Sequence, residues 1–297
     1  MGVKKKILVT GANKGIGLAI CEALLASYSE TFVFLGCRNN DLGKRAIETI
    51  IQKKPEVENR IALVEIDVTN DFSVGMAADR ISKHNASGEP NLYGIVNNAG
   101  IARSDNGPEA ILEVNTKGPK RVIDRLASML QSNNGRVVNV TSASGPNYLS
   151  RCDRSTCEIL TKENVSWDEI SGLCSDFLEK YNNAEVTVKA QLIDDVYGFS
   201  KACANALTML QAKLYPNLRV NACTPGFIET DMTRPMALRS GRTPAEMGMK
   251  PTHDGIRSSL FLLMEQDVGS GFYFGSDCLR SPLDRYRSPG EPEYRGL

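Results

Sequence analysis

Two rhythms alternate along the chain. Short, largely apolar runs recur, each followed by a longer stretch in which apolar residues return every three or four positions. The short runs read as strands buried on both faces: Ile7 to Val9, Phe32 to Gly36, Ile61 to Ile66, Leu92 to Val96, Gly135 to Val140, Leu218 to Cys223 and Gly271 to Phe274. Helical patterns lie between them, among them Leu18 to Leu25, Asp41 to Ile51, roughly Pro108 to Leu130, Tyr197 to about Leu214, and Gly255 to Met264. Strand and helix in steady alternation predict an α/β fold. The expectation is a single doubly wound domain, with a seven-stranded, mainly parallel sheet and helices on both faces. It spans residues 1–278, and a tail of residues 279–297 follows.

The first strand runs into Thr10-Gly11-Ala12-Asn13-Lys14-Gly15-Ile16-Gly17 and then a helix. Strand, glycine turn and helix form the Rossmann-type phosphate-binding unit: glycine lets the backbone approach a pyrophosphate, and the helix N-terminus offers free N–H groups. Gly11, Asn13, Lys14, Gly15, Ile16 and Gly17 are therefore candidate cofactor contacts. The second strand ends at Cys37-Arg38, with no carboxylate to accept from a ribose 2′-OH. A guanidinium there, with Lys14 in the loop, suits a 2′-phosphate and favours NADP over NAD. Asp67, followed by Val68, closes the third strand and serves either an adenine amino group or the turn before the next helix. Asn97-Asn98-Ala99-Gly100 closes the fourth. Asn97, Ala99 and Gly100 are small or amide residues where a cofactor needs room.

Three further positions carry chemistry. Asn115 interrupts a helical pattern, a poor place for Asn unless its side chain finds a partner, and Gly118-Pro119 suggests a kink there. The fifth strand delivers Ser142, Ala143 and Ser144 to the carboxyl edge of the sheet, where a hydroxyl can reach a substrate oxygen. Tyr197 and Lys201, four apart, share a helical face, so the ammonium is expected to stabilise the phenolate and lower a pKa that is otherwise near ~10.

With these motifs in this order, the chain resembles the short-chain dehydrogenase/reductase family from roughly Lys5 to Phe274. Thr10 to Gly17 looks like its cofactor loop, Asn97 to Gly100 its Asn-Asn-Ala-Gly signature, and Asn115, Ser142, Tyr197 and Lys201 its catalytic tetrad. The resemblance implies NADPH-dependent reduction of aldehydes, ketones or quinones. Tyr197 would donate the proton, Ser142 would bind the carbonyl oxygen, Lys201 would hold the nicotinamide ribose, and Asn115 would anchor a water linked to Lys201. It also assigns Pro225, Gly226, Ile228 and Thr230 to the nicotinamide side of the cofactor and Phe227 to the substrate wall.

The interval from Ser142 to Tyr197 holds an insertion, about residues 146–194, with a helical core from Ser166 to Tyr181. It resembles the carbonyl reductase branch, in which such an insertion covers the surface that other members use to oligomerise, and implies a monomer. Arg234 to Lys250, broken by Gly and Pro and bearing Met, suits a mobile lid or an irregular surface segment. The tail either wraps the surface or binds a partner.

Composition narrows the partners. A chain of 297 residues with 41% hydrophobic content can bury a full core, and its 35 basic and 35 acidic residues cancel. Neither nucleic acid nor an anionic membrane is advertised, which leaves a small-molecule carbonyl substrate. Met1 to Lys6 leads straight into a strand without a signal-peptide core, so a cytoplasmic protein is expected. The eight scattered cysteines read as free thiols, with no metal site. In the substrate-facing set, no Arg or Lys stands where it could clamp a carboxylate. Two rival readings use the same residues: an NAD(P)-dependent alcohol or steroid dehydrogenase working oxidatively, and an NADPH-binding sensor or partner-binding protein without turnover.

Overall fold

A computed structural model of the chain describes residues 5–84 and 92–296. The leader residues 1–4 and Leu297 at the end of the tail lie outside them. All seven expected strands form: β1 (Lys5–Val9), β2 (Thr31–Cys37), β3 (Ile61–Glu65), β4 (Gly94–Asn97), β5 (Arg136–Val140), β6 (Arg219–Cys223) and β7 (Tyr273–Phe274). They pair in the order β3-β2-β1-β4-β5-β6-β7, and every pairing is parallel. The chain winds outward in one direction from β1 and in the other from β4. A crevice therefore opens at the carboxyl ends of these two neighbours, where the glycine loop and the Asn-Asn-Ala-Gly turn both emerge.

Eleven α-helices are formed among the described residues: α1 (Gly15–Ser27), α2 (Asn40–Lys53), α3 (Asp71–Ser82), α4 (Gly107–Leu112), α5 (Gly118–Leu126), α6 (Ser144–Leu149), α7 (Arg154–Thr161), α8 (Trp167–Asn183), α9 (Val186–Leu214), α10 (Arg234–Ser240) and α11 (Arg257–Met264). Ile7 and Val9 face a core shared with Ile20 and Leu24 of α1 and Leu262 and Leu263 of α11. Leu8 faces the opposite core, with Ile81 of α3 and Val122 and Leu126 of α5. Burial on both faces explains why the strands read as largely apolar runs. None of the helices among the described residues is long and apolar enough to cross a membrane.

The insertion builds a third core on the outer side of α9. Helix α8 starts at a capping box, in which the Ser166 side chain accepts from Glu169 N and the Glu169 carboxylate accepts from Ser166 N. Phe177 of α8 stacks on Phe199 of α9, with ring centroids 4.7 Å apart and planes 9° from parallel. Helix α9 begins eleven residues before Tyr197 (197 − 186), so the expected insertion boundary at residue 194 falls inside a helix. Its first ten residues escaped notice because only Leu192 among them is buried, leaving no apolar stripe to read.

The tail is joined to the sheet edge. Gly275 N donates to Leu279 O at 2.8 Å and Ser281 N to Tyr273 O at 2.8 Å, closing a hairpin around Cys278. A boundary after residue 278 therefore falls within this hairpin. Beyond it, the Arg280 guanidinium lies 3.7 Å from the Phe272 ring centroid and donates to Gly296 O. Of the two expectations, the tail meets the first: it wraps the surface of the domain.

Candidate active site

The cofactor side of the crevice is shaped by backbone. Gly11 has φ +62°, and a Cβ on it would stand 2.8 Å from the Ala99 Cα, so the loop lies directly against the Asn-Asn-Ala-Gly turn. Asn98 ties the two together, donating from Nδ2 to Thr10 O at 3.0 Å and Gly11 O at 3.2 Å. Asn97 plays a different part: it is buried, and its Nδ2 donates to Asn139 Oδ1 inside the core. No side chain caps α1, so its first N–H groups remain available to an anion, and Gly15, at φ +58°, lies against Thr230, whose Cγ2 is 3.6 Å from where a Cβ would sit. These features fit a dinucleotide pyrophosphate.

Asn13, Lys14 and Asp231 border one shallow cavity beside α2. Lys14 Nζ meets the Asp231 carboxylate at 2.8 Å across the mouth of the crevice, whereas Arg38 is exposed and joins no ion pair among the described residues. Of the two roles open to Asp67, the turn is visible: its Oδ1 accepts from Thr69 N at 2.9 Å and Thr69 Oγ1 at 2.7 Å. Val68 is buried, and its carbonyl accepts from Arg121.

The expected kink at Asn115 is a π-turn, Glu113–Lys117, where Gly118 N reaches back to Glu113 O. It turns Asn115 into the core. Asn115 Nδ2 donates to Ile101 O at 2.8 Å and Ser200 Oγ at 2.9 Å, and its Oδ1 accepts from Ile101 N at 2.9 Å. The side chain is thus spent within the fold. Ser200, which sequence reasoning passed over, also donates to Tyr197 O at 2.8 Å, so one hydroxyl couples Asn115 to the backbone of Tyr197.

Ser142 and Tyr197 are brought together by the contact of α6 with α9. A Cβ on Gly198 would stand 2.9 Å from Ser144 O, and one on Gly145 would stand 3.0 Å from Ala202 N, so both glycines permit a backbone approach that other residues would block. Burial raises the Tyr197 pKa above the ordinary phenol value, and the neighbouring Ser142 hydroxyl offsets part of the rise. Lys201 is buried, donates from Nζ to Val140 O at 3.0 Å and lies 5.8 Å from the Tyr197 ring centroid. Burial also lowers its pKa to about 8. The expected drop in the phenol pKa is therefore reversed here: desolvation dominates, and both groups are pushed towards their neutral forms.

On the substrate side, Ser142, Ala143, Ser144 and Phe227 border a cavity of about 230 Å³. Thr224 Oγ1 accepts from both Ala143 N and Gly226 N at 3.2 Å, locking the Ser142 loop to the Pro225-Gly226 turn. Ile228 is buried and pairs with Lys250, closing the neck of the segment from Arg234 to Lys250, while Thr230 N donates to Thr233 Oγ1 at 2.9 Å. The far side of the cavity is the tail, through Tyr286, Arg287 and Pro289. An arginine does reach this pocket after all. Its linear distance from every motif concealed it.

A dinucleotide cradle facing a phenol, a hydroxyl and an amine defines a nicotinamide-dependent oxidoreductase. Comparison with known proteins agrees. Residues 5–152 match the short chain dehydrogenase family. The chain is 30% identical over 263 residues to carbonyl reductase (NADPH) 1 of Bos taurus, covering 82% of this chain and 91% of that protein. It is 31% identical over 316 residues to salutaridine reductase of Papaver somniferum, covering 91% and 93%. The solved structure of salutaridine reductase superposes with a TM-score of 0.74 at 25% identity, covering 91% of this chain and 99% of that one. NADPH-bound carbonyl reductase from chicken fatty liver gives 0.66 at 23%, covering 95% and 100%. The chain belongs to the short-chain dehydrogenase/reductase family.

Proposed function

We propose that this protein reduces small neutral carbonyl compounds to alcohols with NADPH, Tyr197 supplying the proton. The observation that carries the reading is the position of Ser142, which lines the substrate cavity and lies beside the Tyr197 phenol. A carbonyl oxygen placed there meets two hydroxyl donors at once. The nicotinamide, when bound, supplies hydride to the carbonyl carbon. As charge gathers on the oxygen, Ser142 stabilises it by a hydrogen bond worth up to ~3 kcal/mol, and Tyr197 gives up its proton. A phenol kept neutral by burial is suited to donating. The ammonium form of Lys201, one helical turn away, favours the phenolate left behind and would hold the nicotinamide ribose hydroxyls. With both side-chain ends of Asn115 engaged, a water relay from Lys201 would draw on the backbone of the π-turn.

The preference for NADPH rests on Arg38 at the end of β2, where NAD-dependent relatives of this fold carry a carboxylate, and on Lys14 as a second cation in the glycine loop. Such a preference suits reduction, since cells usually keep NADP reduced. The substrate is read as small because the cavity falls below the roughly 300–1,000 Å³ of drug-sized ligand sites. A name among the relatives, (+)-neomenthol dehydrogenase of Arabidopsis thaliana, 30% identical over 299 residues, favours a second reading in which the same residues oxidise an alcohol.

The test is oxidation of NADPH and NADH with aromatic aldehydes, diketones and quinones, alongside the reverse reaction and the Tyr197→Phe protein. NADPH-dependent reduction that falls 10²- to 10⁴-fold in the variant is expected. Wild-type turnover in Tyr197→Phe would overturn the assigned role.

A further inference from the structure

Beyond the tetrad, the cavity has a second end, built from the chain terminus. Tyr286, Arg287 and Pro289 face it together with Ser276 from the hairpin turn. Arg287 fastens this end. Its side chain is 5% exposed and ion-paired with Asp277; Nε donates to Ser281 Oγ at 3.0 Å, and Nη1 donates to Glu291 O at 2.7 Å and Ser288 O at 3.3 Å. The second Asp277 oxygen accepts from Gly290 N at 3.3 Å. The guanidinium charge is therefore met by Asp277, in the hairpin turn just ahead of the tail. It leaves an electrically neutral wall that attracts no carboxylate.

Tyr286 differs from Arg287. It is 48% exposed, and its hydroxyl takes part in no hydrogen bond among the described residues. Its phenol stands near enough to that of Tyr273, another residue of the cavity wall, to couple with it electrostatically. Ser276, packed against the Gly226 turn, brings a second hydroxyl without a partner among the described residues. Tyr197 is not among the residues lining the cavity; Ser142 is, and the same cavity presents the Tyr286 and Ser276 hydroxyls, which no hydrogen bond among the described residues uses.

We propose that the C-terminal tail is the distal wall of the substrate cavity and that Tyr286 selects neutral carbonyl compounds carrying a second oxygen remote from the reacting one. The proposal rests on the carbonyl reductase reading of the site. A substrate with oxygens at both ends satisfies both sets of hydroxyls, whereas a mono-ketone leaves the Tyr286 end to water.

Cyclohexane-1,4-dione and cyclohexanone share a skeleton and differ in the distal oxygen. For the wild-type protein with NADPH, the KM of the dione is expected to lie about tenfold below that of the mono-ketone, beyond the factor of two that a second reactive carbonyl confers. In Tyr286→Phe, which keeps the ring and removes the hydroxyl, that ratio is expected to contract about fivefold. Binding of both ketones to protein loaded with NADP⁺, followed by saturation-transfer NMR, reads the same preference without turnover. In Asp277→Asn, which loosens the Arg287 anchor, the KM for the dione should rise while NADPH affinity is retained. An unchanged ratio in Tyr286→Phe by both readouts overturns the proposal, even if the wild type is an active reductase. A wild-type protein that neither binds nor reduces either ketone overturns the carbonyl reductase reading, and this proposal with it.

Discussion

At the scale of single residues, the tension lies between Tyr197 and Lys201. Sequence spacing put a cation beside a phenol, and spacing alone predicts a lowered phenol pKa. Spacing carries no information on desolvation, which acts on both groups and dominates here. Lys201 turns this into a measurement. In the folded state its pKa is about 8 against 10.5 in the unfolded chain, so between those values the unfolded chain holds a proton that the folded protein lacks. The Lys201 contribution to the stability of the cofactor-free protein should therefore rise with pH from about 8. The raised Tyr197 value acts in the opposite sense, but only as pH passes its ordinary value of 10, where the unfolded phenol begins to ionise. From about pH 9 the buried thiols, among them Cys21, Cys203 and Cys223, whose pKa values burial raises, oppose it as well, so the Lys201 part of the window from pH 8 to 10 is read as the difference from Lys201→Met. At ~1.36 kcal/mol per unit, the gain over it is on the order of 2–3 kcal/mol. Urea midpoints across this range should climb for the wild type relative to Lys201→Met; parallel curves would contradict the assignment.

At the scale of elements, close approach decides the geometry. Helix α6 carries the end of the Ser142 loop and α9 carries Tyr197, and Gly198 lets them touch. The methyl of Gly198→Ala would collide with a backbone carbonyl rather than with a movable side chain. The helices must separate, at a cost of about 1–3 kcal/mol in stability. Misplacement of Ser142 by even an ångström is worth up to ~10²-fold in rate. A kcat at least tenfold lower with unchanged NADPH affinity is expected, read by steady-state kinetics beside a cofactor titration. The Lys14–Asp231 pair joins the glycine loop to the segment leading into α10. It is exposed and worth about 0–1 kcal/mol as a bridge, yet it engages a cation that a 2′-phosphate would use. Asp231→Asn should tighten NADPH binding about two- to fivefold and leave NADH binding unaltered, as followed by fluorescence titration. Much of this level was legible in the sequence. Glycine turns and apolar runs are local signals, and they placed the strands and the turns that follow them. The partners of Asn115, the role of Ser200 and the contact between α6 and α9 were hidden because each joins residues far apart in the chain.

At the scale of the whole molecule, the sequence showed that an insertion and a tail were present but not where they go, since neither carries a motif and their placement depends on what they cover. The insertion covers α9. Its helices bury Leu160, Ile170 and Phe177 against Phe199, Cys203 and Leu207, so the outer face of α9 is already occupied from within the same chain. A second copy would have to displace α8 to pack there, and the protein is accordingly expected to be a monomer of 32.4 kDa. Sedimentation velocity at micromolar concentration checks this, and a single species of twice that mass would contradict it. Phe177→Ala probes the cause. Removing a buried ring stacked on Phe199 should cost about 3–5 kcal/mol. Part of that loss loosens α8 and uncovers apolar surface on α9, so the variant should show concentration-dependent association that the wild type lacks. The sheet and cradle lie outside this third core, so NADPH binding should survive in the fraction that remains folded. A Phe177→Ala protein that stays monomeric while losing stability would leave the ring as core packing alone and remove the insertion's part in setting the oligomeric state.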